Sequence, residues 1–140
     1  MDVEYMQQVV DSEHRFNLEH NLVKTDLMGL VCALKVSSYT AMQCFTTVNE
    51  EKTVPHIVHG ASLIYGFSLA NRWTTEIQPM PERMPMGTWL LSFDNLLNTL
   101  VPPLCEGKDS LAINYLRQLY CAQLSAAYQY GARLRPGYEA

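Results

Sequence analysis

Apolar residues recur at three- and four-residue steps along most of the chain, which is the period of an α-helix. The clearest such stretch runs from Leu27 to Val48. Thr25 or Asp26 is suited to cap it, because either side chain accepts a hydrogen bond from a free backbone N–H. An earlier segment, from Asp2 to about His20, carries a weaker helical pattern. The chain therefore begins with two predicted helices.

A third helix is predicted from Pro55 to Arg72, since proline suits the first position of a helix. Apolar residues lie on nearly all its sides, and a helix of that kind is buried. It also carries several small residues that would permit close approach of a neighbouring helix, namely Gly60, Ala61, Gly66 and Ala70. We expect it to be the central helix, packed by the second, fourth and fifth helices.

Prolines divide the second half of the chain. Residues 78–86 contain three prolines and predict a surface loop. A fourth helix is expected from Met86 to Val101, where Pro102 and Pro103 would stop it. A fifth is expected from Asp109 or Ser110 to about residue 134, followed by a short flexible tail, 135–140. The pattern predicts an all-α fold, a compact bundle of about five helices.

Length and composition favour one domain spanning residues 1–140. Apolar residues make up 48% of the chain and charged residues 17%, which is enough to fill a core and too little charge for a disordered chain. So small a domain carries more large apolar side chains than one compact core hides. We therefore expect a homo-oligomer, most simply a dimer.

The formal net charge of −4 gives no overall attraction for nucleic acid or anionic membranes, so neither is expected as a partner. The weakly charged stretch 55–71 is too short and too polar to span a bilayer. The acidic N-terminus does not resemble a signal peptide. The four cysteines are scattered without a close pair. Together these features predict a cytoplasmic protein with free thiols.

His56 and His59 share one helix face, as two ligands of a metal site would. No Glu-x-x-His or His-Glu-x-x-His motif accompanies them, so we favour capping, surface or core roles and expect no metal or cofactor. Ser62 lies three residues after His59, but no acid that would orient the imidazole is nearby in the sequence. Catalysis therefore has no specific support.

Two clusters are suited to partner binding. Methionines and a tryptophan surround the proline-rich loop, and tyrosines and arginines crowd the last quarter of the chain; the candidate contact residues are Met84, Met86, Trp89, Arg72, Tyr128, Tyr130, Arg133 and Arg135. The alternative for the methionines is that they pack on the core, and for the tyrosines that they belong to it.

Two functional hypotheses follow. The first is a non-enzymatic protein that acts by binding another protein, as an inhibitor, adaptor or assembly subunit, like many small phage-encoded or immunity-type proteins. The second is a helical domain that binds a nucleotide or another small anion through Arg72, Arg133 and Arg135 beside aromatic faces.

Overall fold

The computed structural model describes residues 3–20, 26–47, 50–71 and 85–129. Five helices account for nearly all of them, and no strand occurs within these ranges: α1 is Val3–Glu19, α2 is Leu27–Thr47, α3 is Glu50–Ala70, α4 is Met86–Cys105 and α5 is Asp109–Gln129. The predicted all-α bundle is confirmed. The loop residues 78–84 and the tail 135–140 lie outside the described residues, as does the predicted end of the last helix.

Four helices form a closed ring in the order α2, α3, α5 and α4, and α1 packs on α3 and α5 from outside that ring. The long middle of α3 is buried, including Ile57, Ala61 and Ile64, so α3 is central as predicted. Its main neighbours are α2, α1 and α5, whereas the expected neighbour α4 packs on α2 and α5. The apolar face of α1, with Met6 and Val10 fully buried, packs on α3, which was not among the predicted contacts of the central helix.

Helix α3 begins at Glu50, five residues before the proline predicted to start it. The amide hydrogen that Pro55 lacks would have bonded to the carbonyl of Glu51, in the first turn, so the proline removes only one intrahelical bond. The stop predicted at Pro102 and the start predicted at Pro55 were wrong for the same reason: a proline close to a helix end costs little.

Helix α4 continues through Pro102 and Pro103 to Cys105. Both prolines have a φ that suits a helix, and their carbonyls accept bonds from the backbone N–H groups of Glu106 and Lys108 at 3.0 and 2.8 Å. The helix ends instead just before Gly107, whose φ of +74° turns the chain toward α5. Glycine adopts this left-handed conformation without a steric penalty.

Helix α5 lies against α3 at Gly60. A Cβ atom at this position would collide with the side-chain amide of Gln123 on α5 and would touch the hydroxyl of Ser37 on α2. The Gln123 amide is itself buried and donates to the backbone carbonyl of Ile57 at 3.4 Å. The small residue predicted to admit a neighbouring helix therefore does so, at the junction of α2, α3 and α5.

Candidate functional site

A groove of about 550 Å³ opens between α1 and α2, with α3 as its floor. Apolar side chains from all three helices line it, namely Phe16, Ala33, Val36 and Pro55. Polar side chains converge within the same groove, namely Glu13, Asn17, Ser37, Thr40, His56 and His59. A concave site with apolar walls and a few convergent polar groups is typical of a ligand pocket.

The carboxylate of Glu13 is the central polar group of the groove. Glu13 is only 2% exposed, and its Oε1 lies 3.6 Å from Nδ1 of His59. Sequence reasoning missed this acid because it lies far from His59 in the chain. One signal was available: Glu13 and Asn17 continue the helical stripe of Met6 and Val10, so an acid and an amide occupy positions that face the core.

Ser62 does not act on the His59 ring. Its hydroxyl donates to the backbone carbonyl of His59 at 3.1 Å and accepts a hydrogen bond from Nδ2 of Asn17 at 2.8 Å. A nucleophile would need its hydroxyl within reach of the imidazole. The imidazole of His59 therefore does not activate Ser62 as a nucleophile. Among the described residues, no group of three or more metal-ligating side chains is placed to hold an ion.

An aromatic seam joins α1, α3 and α5 behind the groove. The ring of His14 meets Tyr65 edge to face at 5.4 Å, and Tyr65 stacks on Tyr120 at 6.4 Å. The Tyr120 hydroxyl donates to Oε1 of Gln7 at 2.9 Å, and burial raises the pKa of Tyr120. Burial and Asp11 together raise the pKa of Tyr65. Tyr120 thus belongs to the core, with its hydroxyl bonded to protein.

Acid is expected to destabilise this seam through His14. Burial lowers the pKa of His14 below 6.5, although Asp11 opposes the shift. As the pH falls through about 6.5, the ordinary pKa of histidine, His14 takes up a proton in the unfolded chain before it does so in the folded protein. The free energy of unfolding therefore decreases as the pH falls. Urea unfolding of the wild type and of His14→Gln at about pH 7.5 and about pH 5 measures how much unfolding free energy each protein loses between the two pH values. The wild type should lose more stability than the variant, and equal losses would contradict the assignment.

A second surface is formed by α2 and α4. Across their combined length these two helices contain only two charged residues, Lys35 and Asp94. The two form an ion pair at 3.3 Å, and the Lys35 ammonium also bonds to the Asn98 amide oxygen. The charges of Lys35 and Asp94 are therefore paired with one another within the protein.

The outer side of these helices is apolar in several places. Val36 is 66% exposed, Tyr39 67% and Leu91 60%, and Met28 and Cys32 are exposed on the same stripe of α2. We call these five residues the α2–α4 face. An exposed helix surface normally carries charges, and apolar patches of this kind mark interaction sites.

The register of α2 and α4 brings Leu91 to the level of Tyr39. Phe45 lies against Gly87, and Lys35 pairs with Asp94, so the two helices run antiparallel. Leu91 falls between those contacts and shares a helix flank with Gly87 and Asp94. We therefore infer that Leu91 extends the exposed apolar stripe of α2 onto α4.

The other side of the molecule has a different character. Exposed charged residues follow α1 and the start of α5, namely Glu4, Arg15, Glu19, Lys108, Asp109 and Arg117. This distribution is what solvent-facing helices show. Among the described residues, the outer surfaces of α1 and α5 thus carry exposed charges, whereas Lys35 and Asp94 are the only charged residues within α2 and α4.

Of the partner-binding residues predicted from the sequence, only Met86 and Trp89 have side chains that the structure describes. Met86 is buried, as the core alternative for the methionines predicted. Trp89 is buried as well and stacks on Phe93 at 5.3 Å. Tyr128 belongs to α5, but its side chain is outside the described residues. The remaining candidates also lie outside the described residues, namely Met84, Arg72, Tyr130, Arg133 and Arg135.

None of the described helices combines the length and hydropathy that crossing a bilayer requires. No protein-family model matches the chain, and neither a curated protein nor a solved structure is significantly similar to it.

Proposed function

We propose that this protein acts by binding another protein through the α2–α4 face, and that its first partner is a second copy of itself. It is then an assembly subunit or adaptor rather than an enzyme. The observation that carries the proposal is the exposed apolar stripe on two helices that have one charge each, both already paired with one another. Interface cores are depleted of charge in the same way.

The two helices that carry the face are large enough for a stable contact. Each has about 20 residues and spans about 30 Å, and two packed helices together are about 20 Å wide. The whole outer side of the two helices, with the α2–α4 face as its apolar part, covers on the order of 600 Å² on each copy. A pair of copies would bury about 1,200 Å², which is the lower end of specific interfaces.

A second copy suits this face better than a charged partner does. In a two-fold dimer the same patch meets itself, so each apolar group faces another apolar surface. Charge complementarity is not needed, because Lys35 and Asp94 satisfy one another within each copy. A strongly basic or acidic partner would gain nothing from an uncharged face.

The anion-binding hypothesis gains no support from the groove. Its carboxylate, Glu13, would repel a nucleotide phosphate, and no lysine or arginine among the described residues lines it. That hypothesis depends on Arg72, Arg133 and Arg135 alone.

The cysteines are free thiols, two of them exposed, which fits the reducing cytoplasm as the place where the protein works.

The exposed thiol of Cys32 lies on the α2–α4 face and tests the proposal directly. We expect its alkylation by excess iodoacetamide to slow as the protein is concentrated, because the dimer covers it. The variant Leu91→Asp is the matched control, and its Cys32 should react at one rate throughout. Equal Cys32 rates in dilute and concentrated wild-type protein would contradict the proposal.

A further inference from the structure

We propose that the groove between α1 and α2 receives the side chain of Tyr39 from a second copy of the chain. This proposal rests on self-association through the α2–α4 face and adds the contact that anchors it. The groove and the face are continuous, because Val36 belongs to the face and also lines the groove. The dimer then has two identical sites, and each is completed by the partner's tyrosine.

Tyr39 and the groove lie on opposite flanks of the exposed stripe of α2. Lys35 contacts Asp94 on α4, and Tyr39 follows Lys35 by one turn, so it shares the flank toward α4. The α2 residues that line the groove lie toward α1, namely Ala33, Val36, Ser37 and Thr40. Since Thr40 is next to Tyr39 in the chain, the tyrosine and the groove lie at nearly the same height along the helix.

Two-fold symmetry brings each tyrosine to the groove of the other copy. An axis that runs along the stripe, parallel to α2, exchanges the two flanks and preserves height along the helix. Tyr39 of each copy therefore comes opposite the groove of its partner, while the exposed stripes of the two copies still face one another. The two contacts are equivalent, as in any isologous interface.

The walls of the groove suit an aromatic ring. Tyr39 is 67% exposed, and a ring of that size gains stability when apolar groups cover it. The groove presents such groups from three helices, namely Phe16, Ala33, Val36 and Pro55. A volume of about 550 Å³ is ample for one tyrosine side chain. Buried tyrosines are also among the residues that most often dominate the affinity of an interface.

The tyrosine hydroxyl suits the polar groups of the groove. It accepts a hydrogen bond at 3.0 Å from the side-chain amide of Gln43, one turn farther along α2, and it has a proton of its own to donate. Glu13 and Thr40 supply oxygens that accept more than one hydrogen bond each. Because a phenol both donates and accepts, the fit does not depend on the ionisation of the two histidines in the groove or on the bonds these groups already make.

The added contact also brings the interface to an ordinary size. The outer side of α2 and α4 alone gives about 1,200 Å² for a pair of copies, the lower end of specific interfaces. An inserted aromatic ring covers about 150–250 Å² of its surroundings. Two insertions therefore raise the buried area to about 1,600 Å², the size typical of a stable complex.

Removing the ring or filling the groove should weaken the dimer to a similar extent. Tyr39→Ala removes both insertions, and Ala33→Phe fills both grooves from α2. With about tenfold for each lost contact, we expect either dissociation constant to rise by about a hundredfold. Tyr39→Phe keeps the ring and is the matched control, with a loss of less than about tenfold. Thr40→Phe fills the same groove from two turns farther along α2 and is used where Ala33→Phe does not fold.

A mixture of the two variants tests the exchange of side chains. The Ala33→Phe copy keeps its Tyr39, and the Tyr39→Ala copy keeps an open groove, so a mixed dimer retains one of the two insertions. We expect its dissociation constant to be about tenfold lower than that of either variant alone. Sedimentation velocity compares each variant alone with an equimolar mixture at the same total concentration.

A small molecule is the other occupant that the groove could take, and 4-methylphenol, which copies the tyrosine side chain, distinguishes the two. We expect it to weaken association of the wild type by competition and to leave that of Tyr39→Ala unchanged. NMR titration that shows 4-methylphenol in the groove of an undisturbed wild-type dimer would overturn the proposal in favour of a small-molecule site.

The sedimentation results separate this proposal from the one on which it rests. A wild type that dimerises while Tyr39→Ala and Ala33→Phe associate as tightly as it does would overturn the insertion and leave the α2–α4 face as the interface. A mixture that associates no more tightly than its components would do the same. A wild type that remains a monomer would overturn both.

Discussion

Replacing Trp89 with alanine is expected to lower the free energy of unfolding by about 3–5 kcal/mol, the range for removing a large aromatic side chain from a core. Trp89 is 3% exposed and stacks on Phe93 within α4. Its position beside a proline- and methionine-rich segment favoured a role on the surface. The structure places it in the ring of helices, where its loss leaves a cavity.

Leu91 provides the matched control, because it lies two residues farther along the same helix and is mostly exposed. In dilute protein, Leu91→Ala should change stability by no more than about 0.5 kcal/mol. Urea denaturation at low protein concentration measures both variants on the isolated chain. A Trp89→Ala variant as stable as Leu91→Ala would show that the tryptophan is not part of the core.

Introducing a carboxylate on the α2–α4 face is expected to dissociate the dimer. Leu91→Asp places one unpaired charge on each copy, and symmetry brings two of them into a single interface. Desolvation of an unpaired charge costs several kcal/mol, and each 1.4 kcal/mol corresponds to about tenfold in the dissociation constant. We expect the constant to rise by about a hundredfold or more.

The control is Leu111→Asp, on the outer surface of α5. Leu111 is also an exposed leucine, in the first turn of α5, where an acid is favourable for the helix dipole. Its substitution should leave self-association unchanged. Sedimentation velocity over a range of concentrations compares the two variants. Equal dissociation constants for both would place the interface elsewhere.

Much of the fold was predictable because each helix repeats its apolar residues at a fixed period. That pattern identified five helices and the burial of α3. It could not assign neighbours, since the apolar stripes of α1 and α4 look equally able to cover α3. The position of α1 depends on packing between distant segments, and only the assembled structure shows it.

The groove between α1 and α2 could not be predicted from the sequence for the same reason. Neither Glu13 nor His59 forms a recognisable motif, and their pairing arises only where α1 crosses α3. The helix ends were misjudged because Pro55 and Pro102 were read as boundaries. The nearly uncharged character of α2 and α4 is visible in the sequence, but which residues face solvent is not.

The mass of the wild-type protein in solution tests the central claim most directly. Sedimentation equilibrium should show a species that approaches twice 15.9 kDa as the protein is concentrated into the high-micromolar range. Leu91→Asp at the same concentrations should remain at 15.9 kDa. A wild-type chain that stays at the monomer mass throughout would contradict the claim that the α2–α4 face binds a second copy.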